Sequence, residues 1–143
     1  MNTAFNDSID KISNEEWESV FELIPTIEQT KEFGEYISME KVSDNLSIYK
    51  GFKTSNIVDE FVHRVYQRNI IISFDWMQWE KGKEIIESKT TDFSSFDKYT
   101  LCKLLITHVR NDRFCDGWLI SCFDNGNILG ILKSLKKIIQ INE

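Results

Sequence analysis

The sequence predicts a mainly α-helical protein: a bundle of four to six helices around one core, with a short β-hairpin or an ordered loop near residues 33–52. Three observations lead to this prediction. Apolar residues recur at helical spacing through most of the chain, a hydrophobic fraction of 41% can form a core, and only one of the 143 residues is a proline. The length is typical of one domain, so we expect residues 1–143 to form a single domain.

The first helix is predicted after residue 13. Ser13 can cap its first turn while Glu16 reaches back to the cap, and apolar residues follow at helical spacing. Pro25 is expected to end this helix or to begin another short one. Residues 33–52 then show an imperfect apolar alternation around the turn signal Ser43-Asp44-Asn45, which favours the hairpin or the ordered loop.

The middle of the chain predicts two more helices. Thr54 or Ser55 is expected to cap a helix whose apolar stripe runs from Ile57 to Tyr66. Ser73 or Asp75 is expected to cap another that runs to about Glu87.

The last third is the most strongly helical. The pattern predicts a helix over 97–110, a break near Asn111 and a helix over 115–124. It then predicts a stop at Asn125-Gly126 and a final amphipathic helix.

Composition excludes several classes of protein. The net charge of −6 argues against nucleic acid as a partner, because that affinity depends on Lys and Arg. No signal peptide is recognisable, and the apolar runs are too short for a membrane span. Three cysteines without C-x-x-C spacing indicate reduced thiols in a cytoplasmic protein. No P-loop, G-x-G-x-x-G, G-x-S-x-G or H-E-x-x-H element occurs, so we expect no cofactor.

Residues 107–117 contain the highest concentration of side chains that could bind a ligand or take part in a reaction, and three interpretations of this segment are possible. Arg110 and Arg113, three positions apart on a helix, can clamp a phosphate or carboxylate. Thr107 can add a hydroxyl, and Asp112 or Asp116 can orient the arginines or act as a base. Alternatively, a metal ion could be held by His108, Asp112 and Asp116, which lie on one face of a helix at spacing i, i+4, i+8 if the helix continues through them. As a metal-binding signal this spacing is weak, because only one of the three residues is a nitrogen ligand. In the third interpretation the arginines form structural ion pairs, Gly117 allows close approach, and Phe114 and Trp118 fill the core.

A second cluster consists of Asp75, Trp76 and Trp79. The two indoles, three positions apart, can stack a nucleobase or a sugar. Large aromatic residues at helical spacing are more often core, and Asp75 is more plausibly a helix cap than a catalytic acid. Among the cysteines, Cys102 and Cys122 fall on apolar stripes and are interpreted as small core residues.

Two motifs carry a resemblance. Phe74-Asp75-Trp76 with Trp79, together with Thr107-x-x-Arg110-x-Asp112-Arg113-Phe114-x-x-Gly117, resembles a bacterial family of proteins of unknown function over about residues 55–138. The resemblance implies a compact bacterial cytoplasmic domain and carries no activity with it.

Three functions follow as hypotheses. The first is a non-enzymatic interaction or regulatory domain that acts on another protein or self-associates, since no complete catalytic constellation is recognisable. The second is an enzyme or ligand-binding protein that uses Arg110, Arg113 and Asp112 against an anionic small molecule. The third is a helix-turn-helix formed by the last two helices around Asn125-Gly126, although the apolar run at 128–132 predicts inward packing.

Overall fold

In the computed structural model, described over residues 3–37, 40–43, 46–48, 51–89 and 92–141, the chain begins with three short helices. They are α1 (Thr3–Asp10), α2 (Asn14–Phe21) and α3 (Ile24–Gln29). The capping box is confirmed, because the Ser13 side chain accepts from the Glu16 N–H and the Glu16 carboxylate accepts from the Ser13 N–H. Pro25 lies in the first turn of α3, where its missing N–H costs no hydrogen bond.

Short antiparallel strands follow, as the alternation predicted. They are β1 (Gly34–Ile37), β2 (Glu40–Ser43), β3 (Leu46–Ile48) and β4 (Gly51–Thr54). β1 pairs with β4, and β2 pairs with β3, so the described part of this region contains two strand pairs where one hairpin was predicted. Asp44 and Asn45 of the predicted turn lie outside the described residues.

The middle region contains two helices joined by an irregular segment. They are α4 (Asn56–Gln67) and α5 (Glu80–Glu87), and a single 3₁₀ turn (Trp76–Gln78) precedes α5. Ser55 occupies the N-cap position of α4 without a side-chain hydrogen bond. The helix predicted from Ser73 or Asp75 begins later than expected, and the Asp75 side chain makes no capping bond.

Three C-terminal helices form the centre of the molecule: α6 (Lys98–Asn111), α7 (Trp118–Asp124) and α8 (Asn127–Ile141). The break at Asn111 and the stop at Gly126, whose φ is +84°, are confirmed. Contacts of α6 with α7 and α8 dominate the helix packing. The first half of α8 packs inward as predicted, because Ile128, Ile131 and Leu132 are fully buried.

The prediction of a mainly helical fold is confirmed, but the count of four to six helices was too low. The described ranges contain eight α-helices, since the N-terminal third forms three short ones where the pattern indicated one or two. Buried residues from α1 through α8 belong to one hydrophobic cluster. In the described part of the chain, no helix has both the length and the hydropathy to cross a membrane.

Candidate functional site

Arg110 and Arg113 lie on the wall of one cavity of about 250 Å³. Because α6 ends at Asn111, Arg113 belongs to the following turn, not to the helix as expected. The turn folds back, with the Arg113 N–H donating to the Arg110 carbonyl at 3.2 Å, and both residues line the same cavity. Arg110 is half-buried and Arg113 is exposed.

Neither arginine forms an ion pair with any residue that the structure describes, in contrast to Arg64, which pairs with both Glu22 and Glu60. The Arg110 guanidinium lies over the Tyr66 ring instead, 5.9 Å from its centroid. Such a contact holds the side chain without neutralising its charge. The structural interpretation, in which both arginines form ion pairs with carboxylates, therefore has no support among the described residues.

Aromatic rings form part of the same cavity wall. Trp76 and Phe114 both line it, with ring centroids 6.0 Å apart. Phe114 was expected to fill the core, but 70% of its surface is exposed. The turn after α6 directs it away from the core, and the left-handed backbone of Gly117 (φ +85°) then leads into α7.

Thr107, Asp112 and Asp116 were predicted to act together with the arginines, but none of them joins the arginines at this cavity. The Thr107 hydroxyl donates to the Lys103 carbonyl at 2.7 Å and lines a neighbouring cavity. The Asp112 carboxylate accepts from the Leu119 N–H at 2.9 Å, in the first turn of α7. That turn needs an external acceptor because Gly117, its N-cap residue, has no side chain. Asp116 is exposed.

The weak metal set of His108, Asp112 and Asp116 is not assembled. Its spacing requires a continuous helix, and α6 ends between the first and second members. Across the described ranges, no group of three or more His, Cys, Asp or Glu side chains could hold a metal ion.

His108 belongs to a different cluster that sequence reasoning missed. It is buried, and its Nδ1 accepts from the Trp118 indole N–H at 3.1 Å and lies 3.3 Å from the Cys122 Sγ. An indole N–H can only donate, so the neutral imidazole carries its proton on Nε2. Burial lowers the pKa of His108 to about 4, and burial, with the charge of Asp112, raises the pKa of Cys122 to about 12.

These values describe a neutral thiol beside a neutral imidazole, which is not an activated nucleophile. Cys102 is buried as predicted, and burial raises the pKa of its thiol. Cys115 is an exposed thiol beside the candidate site. The spacing of His108, Trp118 and Cys122 fits no familiar motif, because the turn between α6 and α7 brings them together.

The aromatic cluster divides between core and cavity. Trp79 is partly buried and packs against the core, as predicted, with its ring 5.9 Å from that of Phe74. Trp76 is half-buried and lines two cavities. The Lys103 ammonium lies 5.3–5.6 Å from the rings of Phe5, Phe74 and Trp79, and so connects α6 to the segment that carries both indoles.

Fold and site together define a small, mainly helical protein with an open cavity lined by arginine and tryptophan. A model of a family of unknown function, DUF6508, matches residues 12–141, and the chain belongs to this family. The match extends well beyond the region of 55–138 that the motifs indicated, and α1 precedes it. No curated protein and no solved structure matched the chain.

Proposed function

We propose that this protein binds an anionic small molecule, a phosphate or a carboxylate, through Arg110 and Arg113. The observation that carries the proposal is that both arginines line one open cavity while neither forms an ion pair with a carboxylate of the described residues. Guanidinium groups match the two-oxygen geometry of phosphate and carboxylate. Ser73, at the rim of the same cavity, supplies a further hydroxyl.

The net charge sharpens this argument. In a protein with a net charge of −6, an anion-binding cavity needs local positive charge, which Arg110 and Arg113 supply. The ion pairs formed by the described cations all lie elsewhere, as with Lys98 and Asp10 or Lys133 and Glu28. An anion in the cavity would supply the missing opposite charge.

The test is anion binding by calorimetry with inorganic phosphate, sulfate and acetate. We expect Arg110→Gln and Arg113→Gln each to weaken binding about tenfold or more, the equivalent of losing hydrogen bonds to a charged group. Arg68→Gln removes the same charge from an exposed arginine that contacts Ser19 on α2, and should leave the affinity unchanged. Equal weakening by all three variants, or no binding by the wild type, would refute the proposal.

A second candidate function, a protein-interaction domain, is favoured by the exposed aromatic surface. Among the described residues, the exposed large hydrophobic side chains all lie around the segment 107–117. Phe114 belongs to it, Met77 lines the same cavity, Tyr66 contacts Arg110, and the Phe52 ring lies against Gly117. Aromatic residues, Met and Arg are the types enriched in protein interfaces.

The two candidates predict different assemblies. If this surface is a protein interface, we expect self-association in light scattering or recovery of a partner from lysate. The Phe114→Ser substitution should then abolish that association. A monomer that binds anions and recovers no partner favours the first candidate.

We also propose that the protein is bacterial and cytoplasmic, because its cysteines are free thiols and its motifs resemble those of a bacterial family.

A further inference from the structure

The arginine cavity is not isolated. A second cavity of about 280 Å³ lies beside it, and Trp76 and Met77 line both. Trp118 also lines this second cavity. Both cavities border the C-terminal half of α6, and we call the two together the groove.

The second cavity differs in chemistry from the first. Three indoles line it, those of Trp76, Trp79 and Trp118. Gly82 of α5 gives the Trp79 ring its place, because a Cβ on this residue would lie 2.1 Å from Trp79 Cε3. The Trp118 ring is held by its hydrogen bond to His108. Much of the wall is therefore aromatic, and two of its three indoles have a neighbour that positions them.

The side-chain amide of Asn111, at the end of α6, lines this cavity and makes no hydrogen bond within the described residues, which is also true of the Glu87 carboxylate at the same cavity. Thr107, in contrast, uses its hydroxyl on the Lys103 carbonyl. A carboxamide offers both donors and an acceptor, so it can orient a heteroatom of a bound ring.

We propose that the ligand is an aromatic anion: a planar ring that lies in the tryptophan-lined cavity, joined to a phosphate or carboxylate held by Arg110 and Arg113. This inference rests on the proposed anion-binding function. Flat rings stack on indoles whatever their substituents, whereas the guanidiniums select for charge. The volume of the two cavities together falls within the roughly 300–1,000 Å³ of small-molecule sites.

The experiment compares ligand pairs that share an anionic group and of which one member carries a ring: phenyl phosphate with inorganic phosphate, and benzoate with acetate. We expect the aromatic member of at least one pair to bind wild type about tenfold more tightly, since stacking on aromatic side chains contributes an effect of that order. The pair that shows the preference identifies the anion. Phenol, which has the ring without the charge, should bind at least tenfold more weakly than phenyl phosphate.

Trp79→Leu should abolish the preference for the aromatic member while leaving inorganic phosphate binding within about twofold. Circular dichroism checks that this variant folds. If it does not fold, the comparison of ligand pairs on the wild-type protein still tests the inference. Equal affinities within both pairs would overturn the inference and leave the anion site intact. Failure of all four anions to bind would overturn both proposals, and phenol binding as tightly as phenyl phosphate would overturn the link between the two cavities.

Discussion

At the scale of single residues, His108 lies in an environment far from that of the unfolded chain. Its imidazole is 2% exposed, accepts the Trp118 indole N–H and contacts a buried thiol. No carboxylate within hydrogen-bonding distance compensates a positive charge there in the described part of the chain. Protonation of this ring therefore opposes folding.

The predicted consequence is a loss of stability at mildly acidic pH. Burial lowers the pKa of His108 from 6.5 to about 4, so the unfolded chain takes up the proton first as the pH falls. The contribution to stability is complete above pH 6.5 and declines as the pH falls towards 4, by up to about 3 kcal/mol. His108→Asn keeps an acceptor for Trp118 but does not titrate, so its unfolding free energy should fall less steeply over this range.

Urea unfolding at pH 7, 6, 5 and 4.5 measures this difference. His63→Gln, which removes an exposed imidazole from α4, is the matched control and should follow the wild type. Parallel curves for wild type and His108→Asn would contradict the prediction. Titrating carboxylates affect all three proteins alike and cancel in the comparison.

Residue-level prediction from sequence succeeded where a pattern was local. Cys102 and Cys122 were interpreted as core residues from their apolar stripes, and both are buried. Phe114 was misplaced because hydrophobicity alone does not reveal that the turn after α6 directs it into solvent. The pairing of His108 with Cys122 was missed because the two are 14 residues apart and meet only when α7 folds back on α6.

At the scale of elements, α7 depends on a cap from outside its own first turn. Gly117 provides the left-handed backbone that redirects the chain, and Asp112 supplies the acceptor that a glycine cannot. Asp112→Ala should therefore destabilise the protein by about 1 kcal/mol, the usual cost of losing a helix cap, and Asp112→Asn by less. Asp116→Ala, at an exposed position of the same turn, should change stability by less than about 0.5 kcal/mol.

Thermal unfolding of the three variants measures these costs. A cost for Asp116→Ala equal to that for Asp112→Ala would show that the charge of the turn matters, not the cap. The Asp112→Asn variant also separates capping from ligand binding. Because the Asp112 carboxylate accepts from Leu119 and forms no ion pair with either arginine, this substitution should not weaken anion binding.

Elements with local signals were predictable, and those that depend on tertiary contacts were not. The capping box at Ser13, the break at Asn111 and the left-handed Gly126 follow from residue chemistry within a few positions. The late start of α5 does not, because Asp75 makes no cap and the Lys103 ammonium above Phe74 and Trp79 stabilises an irregular segment. The candidate cavity likewise depends on where this segment meets α6.

At the scale of the whole molecule, one hydrophobic cluster connects the chain from Phe5 of α1 to Ile139 of α8. Contacts between distant elements strengthen it, including the Asp10 carboxylate of α1, which accepts from Tyr99 and pairs with Lys98 on α6. The Lys98 hydrogen bond, followed by that of Tyr99, lowers the pKa of Asp10. Both ends of the chain thus pack on α6, although α1 lies outside the family match.

A shared core predicts that residues 1–143 unfold as one cooperative unit, as a single domain should. Circular dichroism reports all helices, whereas tryptophan fluorescence reports Trp17 in the N-terminal core and the three indoles of the groove. We expect the two melting curves to coincide, with calorimetric and van't Hoff enthalpies equal at roughly 100 kcal/mol. An N-terminal unit melting on its own would separate the two signals and would show that residues 1–143 are not one domain. If the two melting curves also coincide in the His108→Asn and Asp112→Ala variants, each substitution destabilises the whole fold. An unfolding free energy measured through the tryptophans of the groove is then the unfolding free energy of the entire molecule.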